Sequence, residues 1–245
     1  MQISVVVPVK NEAGNVAPLL AEIRAALDGV ATYEAIFVDD GSKDATAAEL
    51  TGSPDAPAAG DFAGLRVLRH DRSYGQSAAL VTGVRAAGGE WIATLDGDGQ
   101  NDPADLPKLW AQAAALAADD PITLIGGERV KRQDSALKRA SSRIANRVRG
   151  ALLRDDTRDT GCGLKLFRRA AFLNLPAFNH MHRFLAALVR RDGGAVVSVP
   201  VNHRPRGHGR SKYGVMNRLW VGIVDLFGMM WLQSRACAPQ LRADD

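Results

Sequence analysis

Cysteine is almost missing from this chain: Cys162 and Cys237 are the only two in 245 residues, far apart and in no metal-ligand spacing. That leaves no disulfide framework and suits a reducing compartment. The opening residues lack a basic n-region and a cleavage site, and the apolar run from Ile3 to Pro8 is too short for a signal peptide, so a cytosolic protein is expected. No Gly-x-Gly-x-x-Gly follows the first strand-like run and no P-loop motif occurs anywhere, which disfavours a dinucleotide site and a Walker-type phosphate site. A membrane-spanning helix needs about 20 apolar residues. The apolar core from Leu219 to Leu232 has 14, interrupted by Asp225. There is no internal repeat, and the Pro/Ala/Gly/Asp stretch at 53–60 reads as a surface loop.

Glutamate is absent after Glu128, and the charge divides at the same place. Residues 1–128 hold 8 Lys/Arg against 19 Asp/Glu, a balance of −11, and residues 129–245 hold 23 against 8, a balance of +15, which leaves the net +4. The two halves therefore do different electrostatic work. A basic half suits nucleic acid, an anionic membrane surface or a phosphate-bearing substrate. No nucleic-acid partner is expected, because the basic half has no recognisable binding module and the acidic half would repel a phosphate backbone.

With 46% hydrophobic residues, the chain can bury one substantial core, so one globular domain with an extension is expected. Its first half alternates strand-like and helix-like segments. Ile3 to Val9, Ala35 to Val38, Leu65 to Leu68, Trp91 to Leu95 and Ile122 to Gly126 read as strands. Leu19, Leu20, Ile23 and Leu27 sit at helical spacing within Val16 to Leu27, and Ser77 to Ala87 and Pro103 to Ala118 read as further helices. Ser42 or Asp44 is a candidate cap for a helix running through Leu50, and Pro103 fits a first helical turn. This order predicts an α/β fold: a doubly wound, mainly parallel sheet with right-handed crossovers and helices on both faces.

The second half offers a basic helix at Ser135 to Leu153, a short strand at Leu164 to Phe167, a helix at Arg183 to Arg191 and a strand at Ala195 to Val201. A last helix spans Met216 to Gln233, with two tryptophans and basic residues ahead of it. It reads as an amphipathic extension, residues 216–245, lying in a membrane interface or docking on a small membrane protein, beyond a domain of residues 1–215. An ordinary core helix packed on the sheet is the competing expectation.

The run Ile92-Ala93-Thr94-Leu95 ends in Asp96-Gly97-Asp98-Gly99-Gln100, two carboxylates one residue apart. In open α/β sheets the carboxyl edge of the strands is where ligands bind. Oxygen ligands beside a carboxamide suit Mg²⁺ or Mn²⁺ and, through the metal, a diphosphate. Asp-Gly pairs also form plain surface turns. An EF-hand loop is excluded, since Asn101 would occupy its glycine position and Pro107 its final glutamate position. Pro8-Val9-Lys10-Asn11-Glu12 and Asp39-Asp40 end the first two strands, so three polar strand ends share one edge and describe a nucleotide site.

Val5-Val6-Val7-Pro8-Val9-Lys10-Asn11-Glu12, Val38-Asp39-Asp40-Gly41-Ser42-Lys43-Asp44-Ala45-Thr46, Tyr74-Gly75-Gln76 and Asp96-Gly97-Asp98-Gly99-Gln100 resemble family 2 of the inverting glycosyltransferases, which have the GT-A fold. Within that family, Arg129, the block Lys138 to Asn146, Asp159-Thr160-Gly161-Cys162-Gly163 and Arg206 to Gly214 resemble the dolichol- or polyprenol-phosphate mannosyltransferase branch. The resemblance covers residues 3–215. It implies that Pro8, Lys10, Glu12, Val38 and Asp40 line the nucleotide, that Gln76 joins the donor site, and that Asp96 and Gly97 lie along the donor. It gives the metal to Asp98 and Gln100, and the phosphates to Arg129, Arg206 and Lys212. Asp96, Asp98, Arg129, Arg206 and Lys212 are thereby expected to carry catalysis.

Breaking the bond between an anomeric carbon and a nucleoside diphosphate requires stabilisation of the leaving charge, which a divalent cation and Arg/Lys side chains supply. A hydroxyl acceptor also needs a general base, usually a carboxylate, whereas a phosphate acceptor is already an anion. Family members that glycosylate hydroxyls typically carry an acidic pair near the start of the helix at Arg183, and here the segment reads Asn179-His180-Met181-His182-Arg183. The expected acceptor is therefore a polyprenyl (dolichyl or undecaprenyl) phosphate, cradled by Arg129, Lys138, Arg139 and Ser142. The expected donor is GDP-mannose or a UDP-sugar, and the place of action the cytoplasmic face of the inner membrane. Two alternatives are a transferase acting on a sugar hydroxyl in lipopolysaccharide or polysaccharide synthesis, and a catalytically silent nucleotide-binding scaffold. His180 and His182 read as a polar loop rather than a base or metal pair, and Asp159 as the residue that orders the glycine loop after it.

Overall fold

Apolar side chains on both sides of the first strands dictate a sheet buried on both faces. In β1 (Ile3–Val9), Val5, Val7 and Val9 enter one core while Val6 enters the other. In β2 (Tyr33–Asp39), Ala35 and Phe37 oppose Ile36 and Val38, and in β4 (Trp91–Thr94), Trp91 and Ala93 oppose Ile92. The first core is closed by α1 (Val16–Leu27), α2 (Thr46–Thr51) and α4 (Leu106–Ala114). The second is closed by α3 (Gln76–Ala86), α5 (Arg169–Asn174), α6 (Leu185–Arg191) and α7 (Val215–Ser234).

The computed structural model describes residues 2–52, 64–116, 123–130, 149–150, 152–153, 157, 159–206 and 215–235, the side chains of 215–220 excepted. With β3 (Leu65–Arg69), β5 (Thr123–Arg129), β6 (Lys165–Arg168) and β7 (Ala195–Val201), the strands form one sheet in the order β3-β2-β1-β4-β6-β5-β7. Pairing is parallel between β1 and β2, β1 and β4, β2 and β3, and β5 and β7. The sheet is thus mainly parallel, as the alternating pattern predicts.

One feature of the order departs from that pattern. β5 does not lie beside β4: β6 is inserted between them, antiparallel to both. An antiparallel strand starts where its neighbour ends, so Lys165 pairs with Thr94 and the loop before β6 arrives at the carboxyl edge beside Asp96. Thr94 Oγ1 fixes that arrival by donating to Gly163 O at 2.6 Å.

Some local expectations change as well. The N-cap position of α2 is Ala45, whose side chain makes no capping bond; Asp44 accepts from the first helical N–H, that of Thr46, whereas Ser42 does not cap the helix. Ser42 Oγ accepts instead from Asn11 N at 2.9 Å, and Asp44 accepts from Ala13 N and Thr46 N, so both stitch the loop after β1 to the loop after β2. Pro103 opens a short 3₁₀ turn capped by Asp102, and α4 follows it and stops at Ala114 rather than Ala118. The basic helix expected at Ser135 to Leu153 lies almost wholly outside the described residues, as do Lys138, Arg139, Ser142 and Lys212.

The edge opposite the strand ends is held by one buried carboxylate. Glu34 Oε1 accepts from Ser4 Oγ and Gly88 N, both at 2.7 Å, and Oε2 accepts from Arg66 Nη1 at 3.0 Å. Glu34→Ala removes three bonds in the interior and is expected to cost about 3 kcal/mol in urea unfolding while leaving nucleotide binding unchanged. A loss below about 1 kcal/mol would show that this edge is not held by Glu34.

Candidate functional site

The carboxyl ends of β1 and β2 are locked together by polar groups from both loops. Asn11, at φ 49, accepts through Oδ1 from Lys43 N at 2.7 Å; Glu12 N donates to Thr46 Oγ1 at 2.8 Å; Gly14 N donates to Glu49. Glu12 is itself oriented by Asn15 Nδ2, which donates to Oε2 at 2.9 Å. Lys10 reaches the loop after β3 and donates to Ser73 Oγ at 2.8 Å.

Asp40 collects that third loop. Its Oδ1 accepts from Tyr74 N and contacts His70 Nδ1, both at 2.8 Å, and its Oδ2 accepts from Ser73 Oγ at 2.6 Å and Gly75 N at 2.9 Å. Burial opposes ionisation of Asp40, but the bonds from Ser73, His70, Tyr74 and Gly75 outweigh it and hold the carboxyl below its ordinary range. Both oxygens are occupied, so Asp40 shapes the pocket wall by placing residues 70–75. Val38 makes no side-chain wall there: it is fully buried against α3, in the second core.

The acid pair that follows β4 splits into two environments. Asp96 N donates to Asn101 Oδ1 at 2.9 Å, and Asp96 Oδ1 accepts from Gln76 Nε2 at 2.8 Å at the start of α3. Burial, and then the Asp98 carboxylate, push the Asp96 carboxyl up, against the pull of Lys165 and Gln76. Asp98 Oδ1 accepts from Gln100 N at 3.1 Å, and its Oδ2 accepts from Arg206 Nη2 at 2.7 Å. Arg206 Nη1 lies 3.8 Å from Glu12 Oε1, so one cation bridges the ends of β1 and β4. Gly97 between the two acids packs on β1, where a Cβ would meet Val9 Cγ1 at 2.5 Å.

Carboxylate and carboxamide oxygens around Asp98 and Gln100 suit a hard divalent cation. Among the described residues no three His/Cys/Asp/Glu side chains converge as a metal cage. The 2.7 Å pairing of Asp98 with Arg206 shows that this carboxylate already faces a cation.

Arg129, at the end of β5, is clamped by Asp159: Nε donates to Oδ2 at 2.6 Å and Nη2 to Oδ1 at 2.7 Å. Those bonds raise the guanidinium further and keep it charged. Asp159 thus orders the glycine loop, and Gly163 lets it close, since a Cβ there would meet Asp96 Oδ2 at 2.3 Å. Behind Asp96 opens a cavity of about 650 Å³ whose walls include Gln76, Asp96, Lys165, His180, His182 and Arg183.

Segment 179–183 forms the far wall. Burial pushes His182 down to about 3, leaving a neutral imidazole whose Nδ1 contacts Ser77 Oγ at 2.8 Å. His180, at φ 67, places Nδ1 2.9 Å from Asp225 Oδ2 of α7 without hydrogen-bond alignment, and Arg183 Nη1 lies 3.9 Å from the same oxygen. Three further residues escape a reading of the sequence. Lys165 is a buried amine in an apolar strand, and its lone charge among Leu164, Leu166 and Phe167 was the available signal. Asn101 is buried and orders Asp96. Arg204 grips Glu22 with two bonds and Asn101 O with a third, which pins the loop carrying Asp98 and Gln100.

This sheet with its acid pair at the carboxyl edge is the GT-A arrangement, and the pattern of glycosyl transferase family 2 matches residues 4–175; the chain belongs to that family. It is 34% identical over 245 residues to a dodecaprenyl-phosphate galacturonate synthase of Rhizobium johnstonii, covering 98% of this chain and 69% of the relative. It is 34% identical over 220 residues to an undecaprenyl-phosphate 4-deoxy-4-formamido-L-arabinose transferase of Edwardsiella ictaluri, covering 87% of this chain but only 63% of that relative's length. Among solved structures, mannosyl-3-phosphoglycerate synthase of Rubrobacter xylanophilus superimposes with a TM-score of 0.69 at 15% identity, covering 99% of this chain and 77% of its own. Glucosyl-3-phosphoglycerate synthase of Mycobacterium tuberculosis, crystallised with Mg²⁺ and uridine diphosphate, gives 0.67 at 18% identity, covering 98% and 80%. At these identities the likeness is one of fold.

Because the folded-state value of Asp40 is depressed, its stabilising contribution is complete above the ordinary carboxylate value of about 3.9 and is lost as pH falls through the folded value. Asp40→Asn is expected to cost about 2–3 kcal/mol at pH 7, with the gap to wild type narrowing below about pH 4 in denaturant titrations. A gap that stays constant down to pH 2.5 would contradict an ionised Asp40 at the centre of this loop.

Proposed function

We propose that this chain transfers a sugar, with inversion, from a nucleotide-sugar donor to a polyprenyl phosphate at a membrane surface. The carrying observation is the cavity behind Asp96: among the described residues its far wall is lined by His180, His182 and Arg183 and by no carboxylate, Asp225 lying behind it against His180, and burial pushes His182 down to about 3. Such a wall offers no carboxylate base for a hydroxyl, yet it accepts an anion that needs none. The named activities of the two relatives support the same chemistry.

In this proposal Pro8, Lys10 and Glu12 border the nucleotide, Val38 contributes backbone only, and Asp40 acts by placing residues 70–75. Asp96, oriented by Gln76 and Asn101, lies along the donor with Gly97. Asp98 and Gln100 hold Mg²⁺ or Mn²⁺, which when bound would stabilise charge on the departing diphosphate. Arg206, and Lys212 outside the described residues, add positive charge to that diphosphate. Arg129, with Lys138, Arg139 and Ser142, serves the acceptor side.

The membrane assignment rests on α7. Met229 is buried in the second core and Leu226, Met230 and Leu232 pack around it, while Val224, Phe227 and Trp231 are each more than 60% exposed on the outward face. No helix among the described residues is long and apolar enough to cross a membrane. The outward stripe suits an interfacial helix on the cytoplasmic leaflet.

Incubation with GDP-mannose and a set of UDP-sugars plus a short polyprenyl phosphate is expected to yield, for one donor, a phosphodiester-linked glycolipid that mild acid cleaves. An acid-stable product on a sugar hydroxyl, or no turnover with any donor, would overturn the assignment. Asp98→Ala is expected to lower turnover by about 1000-fold, and full activity in excess chelator would remove the metal from the scheme. The pair Phe227→Ser and Trp231→Ser is expected to weaken co-sedimentation with anionic vesicles by at least about tenfold. Wild-type protein that ignores protein-free vesicles would assign the stripe to a protein partner instead.

A further inference from the structure

Lys165 has no role in the scheme above. Its side chain is buried at the start of β6, and its ammonium donates to Cys162 O. Among the described residues it has no other hydrogen bond and no ion pair. A lysine ammonium carries three donors, so two have no protein partner among the described residues and face the cavity. Burial pushes this lysine down, against the pull of surrounding anions that include Asp96 and Asp159. A buried cation with unmet donors on a cavity wall is a strong indication of an anionic ligand.

The position of Lys165 selects among anions. Asp98 and Arg206, assigned above to the diphosphate side, do not line the cavity, whereas Asp96 does, so Asp96 stands between the leaving group and the space beside Lys165. Inversion requires the nucleophile to approach from the side away from the leaving group, which is that space. Arg129, expected to meet the acceptor phosphate, is committed to Asp159 through two bonds and is not part of the cavity wall. Val221 of α7 lines the same cavity, and Val224, Phe227 and Trp231 continue outward along that helix. An anion at Lys165 that carries an apolar chain has a path for the chain; a carboxylate on the donor sugar has no use for one.

We propose that Lys165 binds the phosphate of the lipid acceptor inside this cavity and holds it in line with the anomeric carbon. The proposal rests on the function proposed above. Lys165 donates to the non-attacking phosphate oxygens, Arg183 adds charge at the cavity wall, and the prenyl chain leaves past Val221.

The test uses the full chain, citronellyl phosphate as the acceptor probe, and UDP or GDP with Mg²⁺ as the control, each titrated calorimetrically without turnover. Lys165→Met is expected to weaken citronellyl phosphate binding by about 30-fold, from the loss of a charged hydrogen bond, and to raise its KM, with nucleotide affinity within about twofold of wild type. Lys165→Arg is expected to recover part of the acceptor affinity, and nucleotide binding reports that each variant is folded. Unchanged citronellyl phosphate binding in Lys165→Met overturns the proposal. So does a loss confined to the KM of a carboxylated sugar nucleotide, which would move Lys165 to the donor. Wild-type protein that binds nucleotide but no citronellyl phosphate overturns the proposed function itself, and this inference with it.

Discussion

β6 runs against both of its neighbours, and the chemistry of the site depends on that reversal. Had it run parallel to β4, its first residue would lie at the far edge of the sheet, near Glu34. Running antiparallel, it pairs Lys165 with Thr94 and draws the loop of Gly161 to Gly163 over Asp96. The closure is tight enough that Gly163 has no room for a Cβ. Thr94 Oγ1 on Gly163 O, Asp96 N on Asn101 Oδ1 and the Arg129–Asp159 fork then hold three segments distant in sequence in one geometry. Without the inserted strand, the acid pair would face solvent.

The electrostatics follow from the same interleaving. The sequence divides at Glu128 into an acidic half and a basic half, yet the fold brings their charges into contact. Arg206 from the basic half sits on Asp98 and near Glu12 from the acidic half. Arg129 is neutralised within the basic half by Asp159. Among the described residues these pairings leave Lys165 as a buried basic group on the cavity wall without an ion-pair partner, with Asp96 half-buried on the same wall. A site organised in this way holds its charged groups in place before a substrate arrives, so little reorganisation is needed when leaving-group charge develops.

The parts of this arrangement that were legible in the sequence are the local ones. Short apolar runs located β1, β2 and β4, and the polar residues that end them pointed to the edge proposed above for the nucleotide. The insertion of β6 was not legible, because the choice between two apolar partners for a four-residue strand depends on pairings about 70 residues apart, with no local signature. The same distance hid the work of Asp40: its four partners belong to residues 70–75 and become neighbours only after β2 and β3 pair. Val38 shows the converse case. It belongs to a motif that resembles a nucleotide-binding segment, but strand alternation turns its side chain into the core.

Asp225 shows how the two expectations for α7 fit together. In sequence it merely interrupts an apolar run; in the fold it turns inward, 2.9 Å from His180 and 3.9 Å from Arg183 on the cavity wall. A carboxylate on one side of the helix fixes its rotation, because turning it outward would put Asp225 in an apolar stripe and Phe227 or Trp231 against charged groups. With that rotation set, Met229 enters the core and Val224, Phe227 and Trp231 face away from it. The helix is therefore both a core helix and an amphipathic one. Its inner face completes the cavity through Val221, its outer face presents an apolar surface, and any force that lifts the outer face acts directly on the wall carrying His180 and Arg183.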